Sequence, residues 1–316
     1  MTAHQTTPAT LAASGTPAGA DSRNNALDRA QQHRPRRSVL YVPGSNPRAI
    51  EKTAALDADV VILDLEDAVA PEAKAQARTN VVQTIAQGRI RQECAVRING
   101  LDTPWGIDDI AALAGAGGCA ILLSKVEHED TLRQAADALE RRAPGHGHKL
   151  WAMLETPRAF LAAERIAGGH PLLECLVIGT SDLVKDLHAR HTPERTEVLF
   201  ALSVAVMAAR AFGLDVIDGV HLDLHDLEGL RASARQARTL GFDGKSLIHP
   251  RQIAIANAVF GPSEEELQQA RDWLQAWERR GDQGVIVVDG MLVERLHIEQ
   301  ARRILALAGQ AERNAP

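Results

Sequence analysis

The feature that most constrains this chain is a repeated alternation of short apolar runs with helix-length amphipathic segments, beginning at Ser38. The apolar runs are Val39–Val42, Val60–Leu65, Ala95–Ile98, Ala120–Leu123, Leu150–Leu154, Leu176–Ile178, Val216–Ile217 and Ser246–Ile248. Between them, Pro71–Gln87, Asp130–Arg141, Arg158–Ala167, Glu197–Phe212 and Asp226–Leu240 carry helical periodicity. Strict strand-then-helix alternation implies a parallel sheet with right-handed crossovers. Eight units favour closure into a (β/α)8 TIM barrel, and a barrel of about 250 residues fits within the 316 available.

Local signals agree with this pattern. Pro71 after Ala70, and Pro157 after the good N-cap Thr156, mark helix starts. Gly213 and Gly241 stand where the preceding helices should stop. The expected organisation is a disordered tail over 1–35, a barrel over 36–260, and a C-terminal helical arm or lid over 261–316. In that arm Ser263-Glu-Glu-Glu266 opens a polar helix, Val285–Val288 reads as a strand, Asp289-Gly290 as a tight turn, and Val293–Ala308 as a last helix.

Composition excludes several classes. A formal charge of −6 gives no general affinity for nucleic acid or anionic membrane. No run approaches a membrane span, and the start of the chain lacks the order of a secretory signal. Cys94, Cys119 and Cys175 have neither pairing nor metal-ligand spacing and read as small buried hydrophobes, which suits a cytoplasmic protein. The scattered Gly44, Gly115, Gly117 and Gly118 make no dinucleotide fingerprint.

In a parallel barrel the reacting groups collect at the C-terminal ends of the strands. The polar residues there are Asp64, Glu66, Asp67, Arg97, Asn99, Lys125, Glu127, Glu155, Ser181, Asp182, Asp218, Lys245 and His249. So many carboxylates around one mouth would repel one another unless a cation shares it. Mg²⁺ suits hard oxygen ligands, whereas zinc finds no His or Cys cluster. His249 reads as a hydrogen-bonded rim residue, and His146 and His148 as exposed loop residues. Lys125 as a Schiff-base nucleophile is the weaker reading, because nearby acids would keep it protonated.

Certain blocks carry a resemblance to a known family. They are Arg37-Ser-Val-Leu-Tyr-Val-Pro-Gly-Ser45, Val61-Ile-Leu-Asp-Leu-Glu-Asp-Ala-Val69, Lys74 with Ala77-Arg78, Val96-Arg-Ile-Asn99, Met153-Leu-Glu-Thr156, Gly179-Thr-Ser-Asp-Leu183 and Gly244-Lys-Ser-Leu-Ile-His-Pro250. In this order they resemble the citrate lyase β-subunit group of the HpcH/HpaI aldolase family, which includes malyl-CoA and citramalyl-CoA lyases. The resemblance implies that Glu155 and Asp182 bind Mg²⁺, that Glu66 and Asp67 stand near the metal's waters, and that Arg97 grips a substrate carboxylate. Lys245 is open between a contact to a CoA phosphate and neutralising a carboxylate.

The implied reaction is retro-Claisen cleavage of a 3-hydroxyacyl-CoA to acetyl-CoA and a small oxo acid, in a homotrimer or homohexamer. Better-known lyases of the group carry an Asp in a Gly-x-x-x-Asp-x-Pro stretch of the arm as the acid or base. Here the stretch is Gly290-Met-Leu-Val-Glu294-Arg-Leu296, so Glu294 takes that place one methylene longer. The altered arm keeps a thioesterase on the same substrates open. Also open are an aldolase acting on a free hydroxy-oxo acid and a non-catalytic, carrier-dependent subunit.

Overall fold

The computed structural model describes residues 35–280 and 284–314; the segment read as a disordered tail falls almost wholly outside them. Eight strands form one closed parallel barrel in sequential order, with the eighth pairing the first. They are β1 (Ser38–Pro43), β2 (Val60–Asp64), β3 (Glu93–Ile98), β4 (Ala120–Leu123), β5 (Leu150–Leu154), β6 (Leu173–Ile178), β7 (Asp215–Asp218) and β8 (Gly244–Leu247). All eight apolar runs have become strands, including the short one at Val216.

The period-two alternation of a strand divides their side chains between two cores. Val39, Val60, Ile62, Ala95, Leu122, Trp151, Met153, Cys175, Val177 and Ile217 fill the barrel interior. Leu40, Val42, Val61, Leu63, Val96, Ile121, Val216 and Leu247 face the surrounding helices. Both faces are apolar, as expected when helices cover a parallel sheet. Arg36 closes the N-terminal end, with Nη1 2.6 Å from Asp215, Nη2 2.6 Å from Glu93, and its guanidinium 4.8 Å from the Trp151 ring.

The helical layer is α1 (Pro47–Lys52), α2 (Lys74–Ala86), α3 (Gly106–Leu113), α4 (Glu129–Arg142), α5 (Pro157–Leu161), α6 (Ala163–Ala167), α7 (Thr180–Asp186), α8 (Leu199–Ala211), α9 (Leu227–Leu240) and α10 (Ile253–Phe260). Capping follows the sequence: Thr156 Oγ1 accepts from the Ala159 amide, and Gly241 ends α9 in the left-handed region at φ 103°. The segment expected as one helix over Arg158–Ala167 is two short ones meeting at Ala162, which caps both.

Beyond Phe260, Ser263 and Glu266 form a reciprocal capping box that opens α11 (Glu264–Arg280). A hairpin of β9 (Val285–Val288) and β10 (Met291–Glu294) follows, turning through Asp289 and Gly290, both with positive φ. The last helix, α12, spans Arg295–Asn314. Val293 and Glu294 therefore belong to a strand rather than to the final helix. Val293 pairs with Ile286, and both pack with Ile298 against Trp273 and Trp277, a contact that only alternation across a hairpin can make. The arm meets the barrel through ion pairs Arg238–Glu266 and Arg303–Asp243. Asp243 immediately precedes β8, so this anchor lies at the N-terminal end of the strands.

All three cysteines are buried and free. Burial pushes the Cys119 thiol up to about 12 and those of Cys94 and Cys175 further, so they behave as hydrophobes. Among the described residues no helix is long and apolar enough to cross a membrane.

Candidate functional site

Register builds the centre of the mouth. Asp64 ends β2 directly beside Arg97 on β3, both in the inward-facing row. Asp64 clamps the guanidinium in a two-point fork, Oδ1 to Nε at 2.7 Å and Oδ2 to Nη2 at 2.5 Å. Nη1 lies 3.0 Å from Glu66 Oε2 and 3.3 Å from Asp67 Oδ2. The Tyr41 ring sits 5.0 Å beneath the guanidinium, and Met153 Sδ lies 3.7 Å from the Tyr41 hydroxyl. Arg97 is thus held rigidly, and only its Nη1 edge, shared with the half-exposed Asp67, can be exchanged for a substrate carboxylate.

Glu66 bridges two cations, because Lys125 Nζ lies 2.8 Å from its Oε1. Burial nevertheless raises the Glu66 carboxyl above its ordinary value, while Arg97 and Lys125 pull it down. Lys125 is held above the ordinary lysine value: burial opposes this, and the hydrogen bond and charge of Glu66 outweigh it. A protonated Lys125 is no Schiff-base nucleophile.

Glu155 follows β5 and is 1% exposed. Its Oε1 accepts the Lys125 amide at 2.6 Å, for which Lys125 adopts a φ of 50°. Its carboxyl is pushed up to about 7, first by burial and then by the charges of Glu66 and Asp182, against the Lys125 amide and Arg97. Asp182 lies in the first turn of α7, with Lys185 Nζ 2.8 Å away. Gly179 makes room for Glu155: a Cβ there would stand 2.4 Å from Glu155 Cβ and 2.7 Å from its Oε2.

Among the described residues no group of three or more His, Cys, Asp and Glu could hold a metal ion by itself. Two hard carboxylates, one of them destabilised by burial and like charge, fit instead a cation that retains most of its water. Glu155, Asp182, Glu66, Asp67 and Arg97 are therefore brought to one mouth.

Lys245 is not among them. It alternates with Ser246 onto the outward face of β8, is 1% exposed, and lies 2.6 Å from Asp218 Oδ2 and 2.8 Å from the Gly219 carbonyl. Arg195 engages the other oxygen of Asp218. Of its two readings the structure selects the neutralising one, and a contact to a CoA phosphate is corrected. Asp218 is held below the ordinary carboxylate value: burial raises it, and Lys245 and Arg195 together outweigh that. Lys245 is itself lowered to about 8, by burial and by Arg195, against Asp218. The two directions are compatible, since one carboxylate faces two cations.

Other residues sort as follows. His249 caps a short turn by accepting the Arg251 amide, as a rim residue should. His148 is buried and His146 half-buried with its ring covered, rather than both exposed: His148 Nδ1 lies 2.8 Å from the Cys119 carbonyl, and the His146 ring accepts the His148 amide. Glu294 lies on the hairpin of the arm, on the same face as the exposed Val285, Val287 and Leu292. Sequence reasoning set Asp64 among the mouth carboxylates without a partner, and gave no role to Tyr41, Met153 or Lys74. The signal for the first three is parity, since each occupies the inward row of its strand.

Comparison with known proteins finds relatives of the chain as a whole. The family model described as HpcH/HpaI aldolase/citrate lyase matches residues 37–250. The chain is 48% identical over 285 residues to a (3S)-malyl-CoA thioesterase of Cereibacter sphaeroides, covering 88% of this chain and 96% of that protein. It is 37% identical to an L-malyl-CoA/beta-methylmalyl-CoA lyase of the same species, covering 89% and 97%. The solved structure of protein CitE from Mycobacterium tuberculosis in complex with magnesium, acetoacetate and coenzyme A superposes with a TM-score of 0.72 at 32% identity, covering 88% and 99%.

Proposed function

The chain belongs to the HpcH/HpaI aldolase/citrate lyase family, and within it we propose that the protein is a Mg²⁺-dependent hydrolase of a malyl-type 3-hydroxyacyl-CoA, releasing the free hydroxy acid and CoA. The observation that carries this reading is the buried Glu155 beside Asp182 and Arg97, in a chain whose 48% likeness to a thioesterase spans nearly the whole of that protein.

Glu155 and Asp182 would hold Mg²⁺, with Glu66 and Asp67 near its waters, and the bound ion supplies the Lewis-acid charge that polarises substrate oxygens. The chain's own groups do the rest. Arg97 Nη1 exchanges Asp67 for the carboxylate of the acyl group and fixes its orientation. Displaced from Arg97, Asp67 takes the proton of the attacking water. The water's oxygen adds to the thioester carbonyl carbon, the C–S bond breaks, and the departing thiolate takes a proton from the acid of the arm, Glu294, while Asp67 gives its proton up to solvent and Glu294 is reprotonated from solvent. Protonated Lys125, at the same mouth, stabilises negative charge on oxygen.

Glu294 is the proposed acid of the arm. Its anchor at the opposite end of the barrel and the exposed apolar face around it favour delivery from another copy, in a homotrimer or homohexamer.

A lyase is the second reading, favoured by the 37% likeness to a malyl-CoA lyase over 97% of that protein. In that case the bond between the hydroxyl carbon and its neighbour breaks, giving an oxo acid and acetyl-CoA. The deciding experiment incubates the purified protein with malyl-CoA and Mg²⁺ and scores free thiol, glyoxylate and acetyl-CoA separately. Hydrolysis gives one thiol and one malate per substrate and no glyoxylate. Glyoxylate appearing with acetyl-CoA ahead of any thiol would replace the thioesterase by the lyase. Turnover of neither product would point to free acids or a carrier-bound thioester.

A further inference from the structure

Lys74 opens α2, and its side chain runs back beneath the loop that leaves β2. It is 6% exposed, yet among the described residues no carboxylate lies within ion-pair distance of its ammonium. Nζ is instead 3.0 Å from the Leu65 carbonyl and 3.0 Å from the Glu66 carbonyl, and it stands 5.0 Å from the centroid of the Trp105 ring. A buried ammonium is tolerated only while its donors have acceptors and its charge a polarisable face. Here both acceptors are the backbone of the loop that carries the acid pair.

The same loop is tied from a second side. Asn99 Nδ2 donates to the Leu65 carbonyl at 3.0 Å and to Asp109 Oδ2 at 2.7 Å, and Asp109 Oδ1 accepts from Arg78 Nε at 2.7 Å. Two successive peptide planes, 65–66 and 66–67, are therefore fixed from below. Those planes set the direction in which Glu66 and Asp67 leave the backbone. Glu66 in turn bridges Arg97 and Lys125.

We propose that Lys74 is a positioning residue of the mouth: sealed under Trp105, its ammonium pins the Leu65 and Glu66 carbonyls and thereby sets where the Glu66 and Asp67 carboxylates stand beside the cation and Arg97. It touches no substrate. The inference rests on the proposed role of the acid pair.

The test uses the full chain carrying Lys74→Met, Lys74→Arg or Trp105→Leu. Three readouts are taken: amide hydrogen exchange over residues 65–69, calorimetric binding of Mg²⁺ alone, and kcat and KM for malyl-CoA hydrolysis. For Lys74→Met, exchange over 65–69 should accelerate, and Mg²⁺ binding should weaken about 10–100-fold, the range usual for loss of a group that orients a metal's surroundings. The loss of activity should fall on kcat more than on KM. Lys74→Arg should recover part of each, since a guanidinium can donate to both carbonyls.

A Lys74→Met protein that melts lower while its loop exchange and Mg²⁺ binding match the parent's would overturn the proposal, because Lys74 would then only stabilise the fold. If Lys74→Met does not fold, Trp105→Leu decides: it leaves the ammonium but unseals it, and unchanged exchange over 65–69 would be equally adverse. A parent that binds Mg²⁺ yet never hydrolyses malyl-CoA would sink the functional reading and leave the exchange and binding arms to judge Lys74.

Discussion

Replacing Gly179 by Ala tests the geometry of the acidic mouth with one carbon atom. Gly179 has φ −99° and ψ 79°, so its backbone makes no demand for glycine through a positive φ. The obstacle is Glu155, whose Cβ would lie 2.4 Å and Oε2 2.7 Å from the new methyl, with Met153 Cε at 3.2 Å. Carbon atoms in contact stand about 3.5–4.0 Å apart, so more than about 1 Å must be recovered. Glu155 Cβ is fixed by the end of β5 and cannot swing away. Overpacking of this kind costs about 1–3 kcal/mol.

The cation should feel the substitution about as strongly as the fold does, because Mg²⁺ demands near-ideal octahedral geometry and, with its Cβ fixed, the Glu155 carboxylate is the part that must shift. A 10–100-fold weaker affinity is expected, of the order of about 10–100-fold seen when groups orienting a metal ligand are removed. Calorimetric melting with chelator and with Mg²⁺ at about 100 times the parent's Kd separates the two effects. Mg²⁺ then stabilises the parent by about 2.7 kcal/mol, but the variant by only about 0.4–1.4 kcal/mol. A Gly179→Ala protein showing the parent's full Mg²⁺-induced stabilisation would refute the placement of the cation at Glu155.

Asp218→Asn should destabilise by about 3–5 kcal/mol, because it strands two buried cations, and Lys245→Met by less, because Arg195 still pairs with Asp218; neither should raise KM for a CoA ester. The depressed pKa of Asp218 makes its contribution fully present above the ordinary carboxylate range and lost as pH falls through the folded value, so the pH dependence of melting should flatten on the acid side in Asp218→Asn. Borohydride added with glyoxylate should leave the peptide that carries Lys125 unmodified, since Lys125 stays protonated; a reduced adduct on Lys125 would contradict its pairing with Glu66. Glu155→Gln and Glu294→Gln should each lose activity by about 10²-fold or more. If the arm works in trans, a mixture of the two refolded together should regain part of it, whereas a mixture no better than either variant would confine Glu294 to its own chain or to no catalytic role.

What the sequence could and could not reveal follows from the physics of a covered parallel barrel. Strand positions were legible because eight apolar runs separated by amphipathic segments have few other ways to bury both faces. The mouth was legible as a set of residues, because reacting groups gather at strand ends whatever the residues between. Which members of that set face inward was harder. In a sheet apolar on both sides, alternation leaves little contrast, and β8, Gly244-Lys-Ser-Leu247, shows none. Lys245 and Arg97 therefore looked alike, although parity sends one to the helical layer and the other to the mouth.

The partnership of Arg97 with Asp64 needed the β2–β3 register, which no single strand encodes. The hairpin was half read for a related reason: Met291–Glu294 is a strand only because Val285–Val288 lies beside it, and four residues are too few to announce a period. The same pairing decides what Glu294 can do. A helical Glu294 would have taken its facing from α12, whereas a strand Glu294 shares a face with Val285, Val287 and Leu292, three apolar side chains that the single chain leaves exposed. An acid held on an apolar face, on an arm anchored away from the mouth, is the arrangement that the proposed delivery of Glu294 from another copy requires.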